Sequence, residues 1–264
     1  MTPTAEPAQG NHRATYREVL AEPRFRLLFS TLTVAITADA LRITTFSVLV
    51  FSATGSAPLS ALAFGIGFIP QLFGSLLLGG RTVRRLMLAQ WLPPAFVAGA
   101  EGLIVAYAGE RHFAPGWYAV LMGCLPVGML VGDLLVGRLL RPPTRERLVV
   151  PLIALMGLPL VGFAAEPGVG VSSCLLLLCG FGFASGLGLQ RPFLDALPPD
   201  GQGQAFGLLG SGSMTLQGVG PACFGAVAAG IGTGDAIVLA GGAAALTAGW
   251  ILTWHTPTSP VPVP

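Results

Sequence analysis

The chain has 264 residues, 53% of them hydrophobic and only 10% charged, with 14 basic against 12 acidic. Soluble proteins carry roughly 25% charged residues, so a water-covered globule is excluded and most of the chain must meet lipid. All the basic residues are Arg; with no basic stripe interleaved with aromatics, nucleic-acid binding has no support.

In chain order, residues 1–26 are polar and Pro-punctuated, with Arg13, Arg17, Arg24 and Arg26. No short apolar core followed by a small-residue cleavage site precedes the first long apolar run, so this segment is expected to stay as a cytoplasmic N-terminal segment and not to act as a signal peptide. Tyr16 to Ala21 is expected to form a short helix on the membrane surface. A hydrocarbon core of about 30 Å takes about 20 apolar residues per helix. Eight stretches meet that need: 27–52, 58–80, 86–108, 116–140, 147–165, 170–190, 204–230 and 234–254. Turn chemistry separates them at Thr54-Gly55-Ser56, Ala114-Pro115-Gly116, Pro142-Pro143, Glu166-Pro167-Gly168 and Pro198-Pro199-Asp200-Gly201. A short tail, 255–264, comes last. The expected fold class is therefore all-α and integral to the membrane, with about eight transmembrane helices.

Arginine sets the orientation. With the N-terminus in the cytoplasm, the inner segments hold Arg13, Arg17, Arg24 and Arg26, then Arg81, Arg84 and Arg85, then Arg138, Arg141, Arg145 and Arg147, then Arg191. The outer loops hold only Arg111, and Arg42 lies within the first span. This asymmetry supports an even number of spans, with both termini expected in the cytoplasm and the location expected to be the inner (cytoplasmic) membrane.

Four ionisable residues fall inside the predicted spans: Asp39, Arg42, Glu101 and Asp133. On insertion scales an Asp or Arg at the helix centre costs at least about 2.5 kcal/mol, so each must face protein or a wet cavity. Asp39 and Arg42 are three apart and share a helix face. They read either as a self-neutralised pair that lets the helix insert, or as a polar latch or substrate contact. Glu101 lies near mid-depth with no partner in its span, after Pro93-Pro94, where the helix loses backbone donors. It reads either as a proton- or cation-coupled acid or as a neutral Glu bonded to a neighbouring helix. Asp133 lies in the inner half of its span and is expected to bond a loop or a helix N-terminus.

Gln71, Gln90, Gln190 and Gln217 lie within or at the ends of spans. Gln217 is the deepest and precedes Gly218-Val219-Gly220-Pro221, a stretch expected to kink its helix and free a carbonyl. Broken helices at mid-membrane often line transport sites. Gly182-xxx-Gly186 fits small-residue helix packing, and a dinucleotide-binding reading of these glycines fails because no strand and no acid follow at the right distance. Cys124, Cys174, Cys179 and Cys223 each sit in apolar runs and are expected to pack as small apolar groups. The three His are scattered, so no metal site is expected, and no cofactor is implied.

Several stretches resemble the major facilitator superfamily, in its bacterial drug- and siderophore-exporter branch, the enterobactin-exporter type. They are Tyr16-Arg17-Glu18-Val19-Leu20 with Phe25-Arg26-Leu27-Leu28-Phe29, Asp39 with Arg42, and Leu49-Val50-Phe51 through Thr54-Gly55-Ser56. To these are added Gly203-Gln204-Ala205-Phe206-Gly207 and Gln217-Gly218-Val219-Gly220-Pro221. Gly128 through Gly132-Asp133, Gly137-Arg138 and Arg145-Glu146-Arg147 resemble the Gly- and Arg-containing motif between two helices of a six-helix half. The acid of that family loop is absent: Arg141 stands about where it would be, and Gly79-Gly80-Arg81-Thr82-Val83-Arg84-Arg85 lacks it as well.

The family is built from two six-helix halves. The resemblance therefore implies one complete C-terminal half, 86–254, and the first two helices of an N-terminal half, 27–80, with four helices lost between them. It implies proton-coupled efflux of small, partly apolar molecules, with Asp39, Arg42, Glu101 and Gln217 along the path. Alternating access needs two bundles rocking about a central site, and two helices make no bundle opposite six. Either two chains assemble as a homodimer, or the protein is a non-transporting remnant or an interaction partner of a full-length transporter. An enzyme is not expected, because no His-based or paired-carboxylate group falls on one membrane face.

Overall fold

The structure, a computed structural model, describes residues 80–114, 116–198 and 201–253 and a few scattered positions between 21 and 34. Apart from those scattered positions and Gly80, the predicted spans 27–52 and 58–80 and the surface helix at Tyr16 to Ala21 lie outside the described residues, as do the tail 255–264 and Asp39, Arg42 and Gln71. The chain divides into two compact units, Met1–Gly67 and Phe68–Pro264, and every helix from residue 81 onward belongs to the second.

Every regular element among the described residues is helical. In chain order they are α1 (Arg81–Glu101), α2 (Ile104–Glu110), α3 (Gly116–Leu139), α4 (Pro142–Arg147), α5 (Val149–Val161, continued by a 3₁₀ turn at Gly162–Ala165), α6 (Val169–Gly182), α7 (Ser185–Asp195), α8 (Gln202–Ile231) and α9 (Thr233–Leu252). Five helical stretches are long and apolar enough to cross a membrane: Arg81–Glu110, Gly116–Leu139, Val169–Asp195, Gln202–Ile231 and Thr233–Leu252. Val149–Ala165 is apolar but shorter; at 1.5 Å per residue it reaches about 25 Å. These six segments lie over the last six stretches predicted from hydropathy.

Close approaches at glycine give the direction of each segment. A Cβ added at Gly128 would lie 2.2 Å from the Leu177 carbonyl oxygen, one at Gly132 2.6 Å from that of Phe181, and one at Gly180 2.1 Å from that of Leu125. Contacts that advance together along both helices make α3 and α6 parallel. In the same way Trp91 meets Gly212, Ala95 meets Gly220 and Gly99 meets Phe224, so α1 and α8 are parallel. Leu152 and Met156 meet Gly182 while Gly162 meets Leu175, so α5 and α6 are antiparallel. Gly157 meets Ala244 and Ala245 while Val161 meets Gly241, so α5 and α9 are antiparallel as well. Ala89 packs with Ala248 and Ile251, and Tyr107 meets Gly234, so α9 runs opposite to α1–α2. The six segments thus alternate in direction along the chain, the order that successive membrane crossings require.

The main core lies between α1–α2, α3, α5, α6 and α9, around Val97, Ile104, Leu121, Met156, Leu176 and Ile237. Alternation sorts the charges. Arg81, Arg84, Arg85, Arg138, Arg141, Arg145, Arg147 and Arg191 fall at one end, and Arg111 falls at the other with Glu110, Glu166 and Asp235. The acidic end is tied by side chains. Arg111 donates to a Glu166 carboxylate oxygen at 2.5 Å and to the Glu166 carbonyl at 2.9 Å. The buried Tyr107 hydroxyl donates to the Pro167 carbonyl at 3.1 Å. The Thr233 hydroxyl donates to Glu110 at the start of α9, where a carboxylate suits the helix dipole.

Candidate functional site

The sequence places a break after Pro93-Pro94, but helix α1 runs through both prolines to Glu101. The interruption falls at Gly102 and Leu103, before α2 begins. A proline removes one helical bond and leaves the rest of the ladder intact. At Gly102 a second constraint acts: an added Cβ would stand 2.8 Å from Pro221 of α8. Glycine there admits the proline ring; Gly102 and Leu103 keep right-handed helical torsions, with Gly102 donating to the Ala98 carbonyl at 3.0 Å and Leu103 to the Ala100 carbonyl at 2.9 Å. Glu101 thus stands just before a single tightened turn inside the continuous span Arg81–Glu110. It is half-buried, and among the described residues no hydrogen bond or ion pair joins it.

Helix α8 supplies the opposite wall. Gly220 lets the α1 backbone approach, an added Cβ lying 2.5 Å from the Ala95 carbonyl oxygen, and Gly99 accommodates the Phe224 ring. That ring packs edge-on against Phe96 at 6.2 Å. Nearer the Arg-rich end, Trp91 lies against Gly212 and its indole N–H donates to the Leu209 carbonyl at 2.8 Å. The predicted kink does not divide α8, which is continuous from Gln202 to Ile231. Pro221 nonetheless has no N–H for the carbonyl four residues back, which is that of Gln217. The freed carbonyl therefore belongs to the residue singled out from the sequence.

Glu101 and Gln217 sit on two parallel helices in direct contact, yet among the described residues no hydrogen bond joins their side chains. Gln217 is half-buried and donates to the Ser213 hydroxyl at 2.8 Å. Thr215 is buried and donates to the Ser211 carbonyl at 2.8 Å. Ser211, Ser213 and Thr215 were not among the predicted site residues; alternating polar residues ahead of Gln217 were the available signal. The buried Cys179 thiol of α6 donates to the Met156 carbonyl at 3.0 Å. All four cysteines are free; Cys124 and Cys179 are buried, Cys174 and Cys223 exposed.

The predicted inter-helix motif divides in two. Arg145 of α4 turns back on the end of α3, donating from Nε to the Leu140 carbonyl at 3.0 Å and from Nη2 to the Gly137 carbonyl. Those carbonyls have no partner within their helix, so Arg145 acts as the C-terminal cap of α3. Arg138, Arg147 and Asp133 are exposed. Asp133 was expected to bond a loop or a helix N-terminus; among the described residues it has no such partner. Asp39 and Arg42 cannot be placed against this site, lying outside the described residues. Among the described residues no group of three or more His, Cys, Asp or Glu side chains could hold a metal ion.

No family model, no curated protein and no solved structure matches the chain.

Proposed function

We propose that the chain is a membrane transporter of the major facilitator type that couples proton movement to the efflux of small, partly apolar molecules. The observation that supports this reading is Glu101: a half-buried carboxyl inside the membrane-crossing segment Arg81–Glu110, with no hydrogen bond or ion pair among the described residues. Ionisable groups inside membrane spans are costly and mark ion and proton paths. In this reading Glu101 takes up and releases the proton. The Gln217 side chain and its freed carbonyl line the substrate path, and Asp39 and Arg42 contribute through the resemblance. The Arg-rich end faces the cytoplasm, and eight spans leave both termini there, in the inner membrane. Alternating access then requires a second bundle. The lightly buried α8, the least covered of the five long spans, is the face on which a second copy would seat. The experiment is efflux of a lipophilic cationic dye, ethidium, from cells expressing the wild type or Glu101→Gln. Loss of efflux at unchanged expression supports the reading, and undiminished efflux removes Glu101 from it.

A second reading is a membrane protein that inserts and packs without transporting. It is favoured by the length of 27–80, which holds two spans and no bundle. Oligomeric state in mild detergent separates the two: a dimer supports transport, and a strict monomer supports the second reading.

A further inference from the structure

The Arg-rich end carries a feature that neither reading uses. Helix α3 ends at Leu139, and its last carbonyls would present the negative end of the helix dipole. Arg145 covers two of them, at Gly137 and Leu140. Arg191 lies 3.8 Å from Asp195. Arg138, in the last turn of α3, and Arg141, which precedes α4, are both exposed, and among the described residues neither meets a carboxylate. Two free guanidinium groups thus stand three residues apart beside a helix end whose own negative charge is already covered.

Below them lies an apolar face. Leu134 and Leu135 stand four and three residues before Arg138, on its face of the helix, and both are exposed, as are Leu130 and Val131 one turn further down. Positive charge directly above exposed aliphatic side chains matches one chemistry: an anionic head joined to acyl chains. A free phosphate would meet the arginines alone, whereas a lipid meets both the arginines and the leucines, which in a spanning helix already face acyl chains. We propose that Arg138 and Arg141, with Leu134 and Leu135 beneath them, form a binding site for an anionic phospholipid at the cytoplasmic end of α3. The headgroup lies between the two guanidinium groups, which suit phosphate oxygens, and an acyl chain runs along Leu134 and Leu130. The site rests on the membrane-spanning reading alone and holds whether or not the protein transports.

The test uses the full chain purified from mixed micelles holding equal parts phosphatidylglycerol and phosphatidylcholine, with the retained lipids quantified by mass spectrometry. Wild type should retain phosphatidylglycerol in excess. Each arginine near a headgroup surface contributes about fivefold in binding, so Arg138→Gln with Arg141→Gln should reduce the preference about thirtyfold. Arg81→Gln with Arg84→Gln removes the same charge from the start of α1, away from the leucine face, and should reduce the preference distinctly less. Arg138→Lys with Arg141→Lys keeps the charge and should keep most of the preference. A photoreactive phosphatidylglycerol should label wild type between residues 130 and 141, a readout that needs no variant to fold. Equal retention of the two lipids by wild type, labelling confined elsewhere, or an equal loss in the α1 variant would overturn the site. Displacement of the lipid by inorganic phosphate as readily as by phosphatidylglycerol would reassign it as a simple phosphate site.

Discussion

Gly180→Ala tests the packing that fixes the direction of the helices. The added Cβ would stand 2.1 Å from the Leu125 carbonyl oxygen and 3.0 Å from the Met129 nitrogen. Both are backbone atoms of α3, so no side chain can swing away. Restoring ordinary van der Waals contact, which begins at 3.4 Å, requires the two helices to part by about 1 Å, and a gap of 0.5–1 Å forfeits roughly a quarter to a half of each dispersion contact across it. Leu121, Cys124, Leu125, Leu176 and Cys179 line that seam and are buried. Overpacking of this kind costs about 1–3 kcal/mol, and the backbone clash puts Gly180→Ala at the upper end. Gly186→Ala is the control: nothing lies within 4 Å of its added Cβ, and Ala is favoured over Gly within a helix by about 1 kcal/mol. Thermal unfolding in detergent should rank the proteins Gly186→Ala at or above wild type, with Gly180→Ala well below both. Gly180→Ala as stable as Gly186→Ala would refute the close parallel pairing of α3 with α6.

The ends of the bundle give three further tests. Tyr107→Phe removes the buried hydrogen bond to the Pro167 carbonyl and should cost about 1 kcal/mol by the same thermal assay, with the Ser172 hydroxyl still donating to that carbonyl at 3.2 Å. The Arg111–Glu166 pair is more exposed, so a double-mutant cycle with Arg111→Gln and Glu166→Gln should return a coupling below about 1 kcal/mol, smaller still in high salt. With the exposed Cys174 and Cys223 replaced, a cysteine at Thr144 should react with a membrane-impermeant maleimide only in inverted vesicles, and one at Ala114 only in intact cells. Labelling of both from one side would contradict the alternation of segments.

Hydropathy and turn chemistry made six segments legible because a membrane crossing leaves a long apolar window that neighbours need not complete. The Arg asymmetry was legible for a related reason: alternation gathers charges that are distant in sequence onto one end. The disruption expected at Pro93-Pro94 does not interrupt the helix; the irregular turn lies at Gly102 and Leu103, where Gly102 meets Pro221, a contact between residues far apart in the chain. For the same reason the emphasis on Gly182-xxx-Gly186 was half right. Gly182 packs against Leu152 and Met156, but Gly186 meets nothing within 4 Å. The pair that seats α3 on α6 is Gly128 with Gly132, which composition alone does not distinguish from other glycines. Arg145 stood out as part of a motif, but its role as a cap depended on where α4 turns back. The Arg111–Glu166 contact joins two loops 55 residues apart, a proximity that periodicity within one helix does not encode.

The most direct test of the account is proton movement through purified protein in sealed vesicles. Wild type and Glu101→Gln are reconstituted, a pH gradient is imposed, and ethidium transport and internal pH are followed together. The account predicts that wild type moves ethidium only when the gradient is present and dissipates the gradient as it does so. It predicts that Glu101→Gln, equally folded by thermal unfolding, does neither. Gradient-driven ethidium movement by Glu101→Gln at the wild-type rate would contradict the account.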